Sequence, residues 1–232
     1  MIKRGGNQEA AKPRARQNKA MIIAIDGPSA AGKSTVAKTL AKNLGIDYID
    51  TGAMYRALAL KAIRLGTNTD DETELAALLD STNIDLEGGQ VLLDGRDVSE
   101  QIRTEEISMG ASRISAIPAV REKLVALQRA MGSSKSVVMD GRDIGSNVFP
   151  NAEHKFFITA SPETRAERRR KELAGKGEQV SFETVLEDTK KRDRDDSNRK
   201  LNPLIQTKDA VLVDTDNLSI DEVLTQITKY LQ

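Results

Sequence analysis

The sequence predicts an α/β fold, a five-stranded parallel sheet flanked by helices with a small antiparallel β insert. Three observations predict it. Short apolar runs bounded by turn residues alternate with stretches of helical periodicity. A complete glycine-rich phosphate loop joins the first apolar run to the first helix. One segment breaks that rhythm, with alternating apolar residues around Gly88-Gly89 and Asp94-Gly95, which is hairpin chemistry.

The elements follow in order. Residues 1–20 have almost no apolar residues and no periodicity, so a disordered basic tail is expected there. Met21 to Ile25 is an apolar run ending at Asp26-Gly27, as in a buried parallel strand. From Lys33, Val36, Leu40 and Leu44 recur every four residues as one apolar stripe, and Gly45 stops the helix. Tyr48 to Asp50 reads as a second strand and residues 51–64 as a second helix. Three further strands are expected at 136–140, 155–159 and 210–214, with right-handed crossovers between parallel neighbours. The insert is placed at about 81–113, inside one domain running from 21 to 232.

Composition narrows the function. Hydrophobic residues are 38% of 232 but aromatics only 3%, so the core must be aliphatic. No run approaches the roughly 20 apolar residues of a membrane span, and no leader of the signal-peptide kind is seen. Cysteine is absent, which excludes disulfides and thiol nucleophiles. The single histidine, His154, precedes the apolar run 156–158 and reads as an ordinary strand-edge residue. Residues 1–20 hold six of the 35 basic residues but one acid, Glu9, so the body is slightly acidic. That argues against a nucleic-acid polymer as the main ligand.

The pattern G-x-x-x-x-G-K-[ST] is met by Gly27, Pro28, Ser29, Ala30, Ala31, Gly32, Lys33 and Ser34, followed by Thr35. Glycines let the backbone wrap phosphate oxygens with N–H groups pointing inward. The helix that follows offers its positive N-terminus to the same anion. Lys33 would bridge the terminal phosphates of ATP and the Ser34 hydroxyl would ligate Mg²⁺. The fold class is therefore of the P-loop NTPase type. A guanine-reading Asn-Lys-x-Asp is missing, which weakens a GTPase reading.

Three arginine-bearing segments could take a phosphate acceptor: residues 50–56 with Arg56, residues 140–145 with Arg142, and residues 192–199 with Arg192 and Arg199. A guanidinium grips two phosphate oxygens at once and stays charged. Each segment alone also has a plain reading, as a helix start, a turn and a solvated, ion-paired helix face. Asp140 ends a strand as an Mg²⁺-organising carboxylate would.

At these residues the sequence closely resembles bacterial cytidylate kinases. The resemblance runs from about Met21 to the C-terminal helix. It rests on residues 25–29, 50–56, Ile102-Arg103-Thr104, 140–145 and 191–199, and on the insert. It implies transfer of the ATP γ-phosphate to CMP or dCMP. By motif position it implies Arg56, Arg142 and Arg199 as acceptor-phosphate ligands, and with Lys33 as the catalytic group. Ser112, Arg121 and Asp143 would read cytosine, and Arg192 and Asp196 would hold the ribose. Thr51, Tyr55 and Asp140 would line the same pocket. Arg168 and Arg169 look like ATP-binding arginines of a mobile lid at about 168–180. A cytoplasmic monomer is expected, with neither a membrane nor a nucleic acid as partner. Two other classes remain: a P-loop kinase of another small acceptor, such as shikimate or dephospho-coenzyme A, and a non-enzymatic nucleotide-binding switch. Acceptor-dependent turnover separates them.

Overall fold

A computed structural model describes residues 20–231 of the protein; the tail expected at 1–20 lies, but for Ala20, outside the described residues. Five strands form the main sheet: β1 (Ile22–Asp26), β2 (Asp47–Asp50), β6 (Val137–Gly141), β7 (His154–Thr159) and β8 (Val211–Asp214). Their order is β2-β6-β1-β7-β8 and every pairing is parallel. The central strands β1 and β6 are buried almost throughout, as strands covered by helices on both faces are, while the edge strands β2 and β8 leave Asp47 and Leu212 exposed. β1 lies between β6 and β7, so the chain leaves it in one direction for β2 and β6 and in the other for β7 and β8. Ligands of open α/β sheets bind at the carboxyl edge of such a switch point.

On one face, α1 (Lys33–Leu44) packs Val36, Ala37 and Leu40 onto β1 and β6 beside α8 (Ile220–Thr228). On the other, α2 (Thr51–Leu65) and α5 (Pro118–Ser133) enclose a second aliphatic core with Met54, Leu58 and Leu124 fully buried. The remaining helices are α3 (Glu72–Asp80), α4 (Glu105–Ile114), α6 (Pro162–Gly175) and α7 (Phe182–Asn198). Helices α6 and α7 form an antiparallel pair around a small core of Ala166, Leu173 and Val185. Among the described residues, no helix is long and apolar enough to cross a membrane.

The insert is antiparallel only in its first half. β3 (Ile84–Glu87), β4 (Gln90–Leu93) and β5 (Arg96–Asp97) make a three-stranded sheet turning at Gly88-Gly89 and Asp94-Gly95. Residues 98–113, expected in the same antiparallel unit, instead carry a 3₁₀ turn at Gln101–Arg103 and then α4. The physical reason is local. The Thr104 hydroxyl caps the backbone N–H of Ile107, and Glu105 and Glu106 fill the first turn where the helix dipole favours acids.

Candidate active site

The phosphate loop begins where β1 ends. Gly27 has φ +147° and a Cβ there would sit 1.9 Å from the Ile158 carbonyl oxygen, so only glycine passes. Gly32 caps α1 in the left-handed region, and no acidic residue occupies the first turn. The helix N-terminus is thus left open to an anion. Lys33 Nζ folds back to the Pro28 carbonyl at 2.6 Å. Its pKa is pushed down to about 7, first by burial and then by the positive charge of Arg142.

Below the loop, the ends of β2 and β6 bring in carboxylates. Asp26 accepts backbone N–H groups from Ile144 and Gly145 at 2.8 and 2.7 Å, tying β1 to the turn after β6. Burial, the largest influence, still raises its pKa to about 6. Asp140 is buried and takes hydroxyl hydrogen bonds from Ser34 and Tyr48. Burial and then the neighbouring Asp50 raise its pKa to about 6. Asp50 caps α2 and pairs with Arg56 at 3.0 Å. Thr51 donates to the Asp140 carbonyl at 2.7 Å.

Lys33, Ser34, Asp50, Thr51, Arg56 and Asp140 line a cavity of about 510 Å³ between the phosphate loop, α2, α4, α5 and α7. It brings together Ser29, Ala30, Gly32, Lys33, Ser34 and Thr35 from the phosphate loop and the start of α1. It also takes in, of the residues singled out in the sequence, Thr51, Tyr55, Arg56, Ser112, Arg121, Asp140, Arg142, Asp143, Arg192, Asp196 and Arg199, together with Arg168 and Arg169. Gly27, Pro28 and Ala31, also expected at the site, do not line it; the Pro28 carbonyl accepts from Lys33 and the Ala31 carbonyl from Thr215.

The arginines crowd one another. Arg142 donates to Asp196 at 2.8 Å and stays above the ordinary arginine value; burial opposes its charge, but Asp196 and Asp140 outweigh it. Arg192 is pushed down to about 10 by burial and then by Arg142, and its Nε has no hydrogen-bond partner among the described residues. Arg199 is lowered by burial and then by Arg121; it bonds the Leu201 and Asn202 carbonyls and lies 4.0 Å from Asp143. Like charges in a desolvated cleft raise its affinity for a multivalent anion.

At the far end, Arg121 and Asp143 form a buried ion pair, with Asn147 donating to Asp143. The Tyr55 hydroxyl, Arg121 Nε and Gln128 Nε2 are buried there without hydrogen-bond partners among the described residues. A buried donor without a partner is costly, so these atoms favour a polar ligand that completes their hydrogen bonds. Arg168 is engaged by Thr215, and Arg169 by Glu105 and Glu172.

Several lining residues were not picked out from sequence. Gln128 is one; it stands seven residues after Arg121, two turns along the same helix face, a spacing that could have flagged it. Arg165 is another group outside the motifs. It clamps Asp193 at 2.8 and 2.5 Å and reaches the Ala160 carbonyl, fastening α7 to the start of α6.

A family model described as cytidylate kinase matches residues 23–232. The chain belongs to the cytidylate kinase family. A cytidylate kinase of Caldanaerobacter subterraneus subsp. tengcongensis is 53% identical over 210 residues, covering 90% of this chain and 94% of the relative. One of Clostridioides difficile is 45% identical, covering 89% and 96%. A solved structure of an uncharacterised protein from Eubacterium ventriosum has a TM-score of 0.51 at 15% identity, covering 91% of this chain and 98% of that one. At that identity the likeness concerns the fold alone. In this cytidylate kinase family member, the phosphate loop and the Arg121–Asp143 pair line one and the same cavity.

Proposed function

We propose that the protein transfers the γ-phosphoryl group of ATP to CMP or dCMP, releasing ADP and the nucleoside diphosphate. The observation that carries this reading is one cavity with a phosphate loop at one end, a buried Arg121–Asp143 pair at the other, and arginines between them. Such a cleft suits two anionic substrates placed end to end.

The acceptor is already an anion, so no strong general base is required. Catalysis comes from positioning and from charge stabilisation in a water-poor cleft. Lys33 and the loop N–H groups hold the donor phosphates. Arg56, Arg142 and Arg199 hold the acceptor phosphate and offset its repulsion from the donor. Asp143 accepts from the exocyclic amine of cytosine, whereas uracil would face it with a carbonyl. Thr51, Tyr55 and Ser112 line the acceptor, and Arg192 and Asp196 hold the ribose.

A divalent cation fits the donor end. Ser34 gives its proton to Asp140 at 2.8 Å, which leaves its lone pairs for a cation. Among the described residues there is no cluster of three or more ligating His, Cys, Asp or Glu side chains. One hydroxyl backed by one buried carboxylate suits Mg²⁺, which keeps several waters and takes one or two protein groups beside substrate phosphates. When bound, Mg²⁺ supplies charge neutralisation at the β- and γ-phosphates.

ADP release measured across a panel of nucleoside monophosphates tests the function. CMP and dCMP should stimulate it strongly and AMP and GMP should not. A protein that releases no more ADP with either cytidine nucleotide than without an acceptor is not this enzyme.

A further inference from the structure

Tyr48 does not line the cavity, yet it is bonded to a group that does. It lies in β2, paired with Val138 of β6. Asp140 stands two residues further along β6, on the same face and diagonal to Tyr48. The ring is half-buried against the core under α1, with Val36 and Leu40 in the same cluster. Its hydroxyl donates to Asp140 Oδ1 at 2.9 Å, while Ser34 donates to Oδ2 at 2.8 Å. Burial and the Asp140 charge hold the Tyr48 hydroxyl well above its ordinary pKa, so it remains a donor.

One carboxylate is thus gripped through both oxygens by two hydroxyls from different elements. A serine hydroxyl has one proton and two lone pairs. If Asp140 stays still, the Ser34 proton stays on it and the lone pairs face away from it. If Asp140 rotates, Ser34 is free to spin and to present its proton to a cation.

We propose that Tyr48 is a positioning residue for the donor end, fixing Asp140 so that Ser34 offers a lone pair to the divalent cation of the ATP complex. The inference rests on the kinase reading above. It differs from a role in which Tyr48 only braces edge strand β2 against β6.

Calorimetry with a non-hydrolysable ATP analogue tests it, in Mg²⁺ and in EDTA, for the wild-type protein and Tyr48→Phe. Phenylalanine keeps the ring and its packing and removes only the hydroxyl. The expected result is a loss of roughly 10-fold in the Mg²⁺-supported affinity, the scale seen when partners behind a metal ligand are removed. Affinity in EDTA and for CMP should stay at the wild-type level. In an Asp140→Asn background the same substitution should add nothing, because the carboxylate it acts through is gone. Equal losses with and without Mg²⁺, or an unchanged Mg²⁺ effect beside a lowered Tm, would leave Tyr48 as a brace and overturn the proposal. A wild-type protein whose analogue binding ignores Mg²⁺ would remove the donor-site reading itself, and this inference with it.

Discussion

Arg142 Nε donates to Asp196 Oδ2 at 2.8 Å, joining the turn after β6 to the last part of α7. Among the described residues, the arginine's terminal nitrogens make one long hydrogen bond, Nη1 to the Gly141 carbonyl at 3.5 Å. The guanidinium is therefore oriented through one edge and unspent on the other, beside Lys33 and the phosphate loop. A group held this way needs no reorganisation when a phosphoryl group passes in front of it.

Replacing Arg142 by alanine should lower turnover by on the order of 10²–10³, the cost of losing one charge-stabilising donor. ATP affinity should be largely retained, since Lys33 and the loop N–H groups hold the donor. Steady-state kinetics alongside ATP-binding calorimetry separates the two effects. Wild-type turnover in Arg142→Ala would move the acceptor phosphate elsewhere.

The base end makes a different forecast. Arg121 and Asp143 keep 4% and 8% of their side-chain surface exposed, so each is the other's main solvent. Asp143→Asn preserves the shape but turns one acceptor into a donor, which suits the uracil carbonyl better than the cytosine amine. The ratio of kcat/KM for CMP over UMP should fall by at least about 10-fold, a single hydrogen-bond inversion in a dry site. Stability should fall too, because Arg121 loses its counter-charge in the interior. An unchanged ratio would mean that Asp143 does not face the base.

Much of this was legible in the chain because it is local. Four of the five sheet strands contain short apolar runs, β2 is the Asp-Tyr-Ile-Asp before a helix, and each lies within about two residues of its expected place. The phosphate loop is eight consecutive residues with a fixed geometry. The insert was legible at its turns, where Gly88, Gly89 and Gly95 all take positive φ, but not in its length. There the Thr104-Glu105-Glu106 helix start outweighed the expected continuation of the sheet. Partners were not legible. Arg121 finds Asp143 across 22 residues and Arg142 finds Asp196 across 54. Nothing in spacing or periodicity says which of several nearby acids an arginine will meet. Tyr48 reads from sequence only as a strand residue; its hydroxyl acquires a role once β2 and β6 are in register.

Gly27→Ala tests the backbone of the loop. The added methyl would lie 1.9 Å from the Ile158 carbonyl of β7, and φ +147° is closed to alanine in any case. Neither strand can retreat, since β1 and β7 are adjacent members of the central sheet. The variant should lose about 4 kcal/mol or more, in the range kept for buried backbone conflicts. Urea unfolding would show it, and ATP should no longer raise Tm. A variant as stable as wild type would mean that the β1 end is not this tight.

Lys33 supplies a pH signature. In the ligand-free protein its pKa is pushed down to about 7, mainly by burial and further by Arg142, while in an unfolded chain it is about 10.4. Between these values the unfolded chain binds more protons. The contribution of Lys33 to stability therefore rises with pH across that window, and its cost is fully present only below pH ~7. Donor phosphates act in the opposite direction on the folded protein, because their negative charge returns the amine to its charged form. Binding of an ATP analogue in EDTA at pH 8 should then take up roughly 0.5–1 proton, and near pH 6 much less. Calorimetry in two buffers of different ionisation enthalpy measures that number directly. Lys33→Met should abolish the uptake at pH 8 as well as weaken the analogue. Arg142→Ala should shrink it, because removing the neighbouring cation lets Lys33 charge before the phosphates arrive. An absence of uptake at pH 8 in the wild-type protein would mean that Lys33 is already charged in the empty loop.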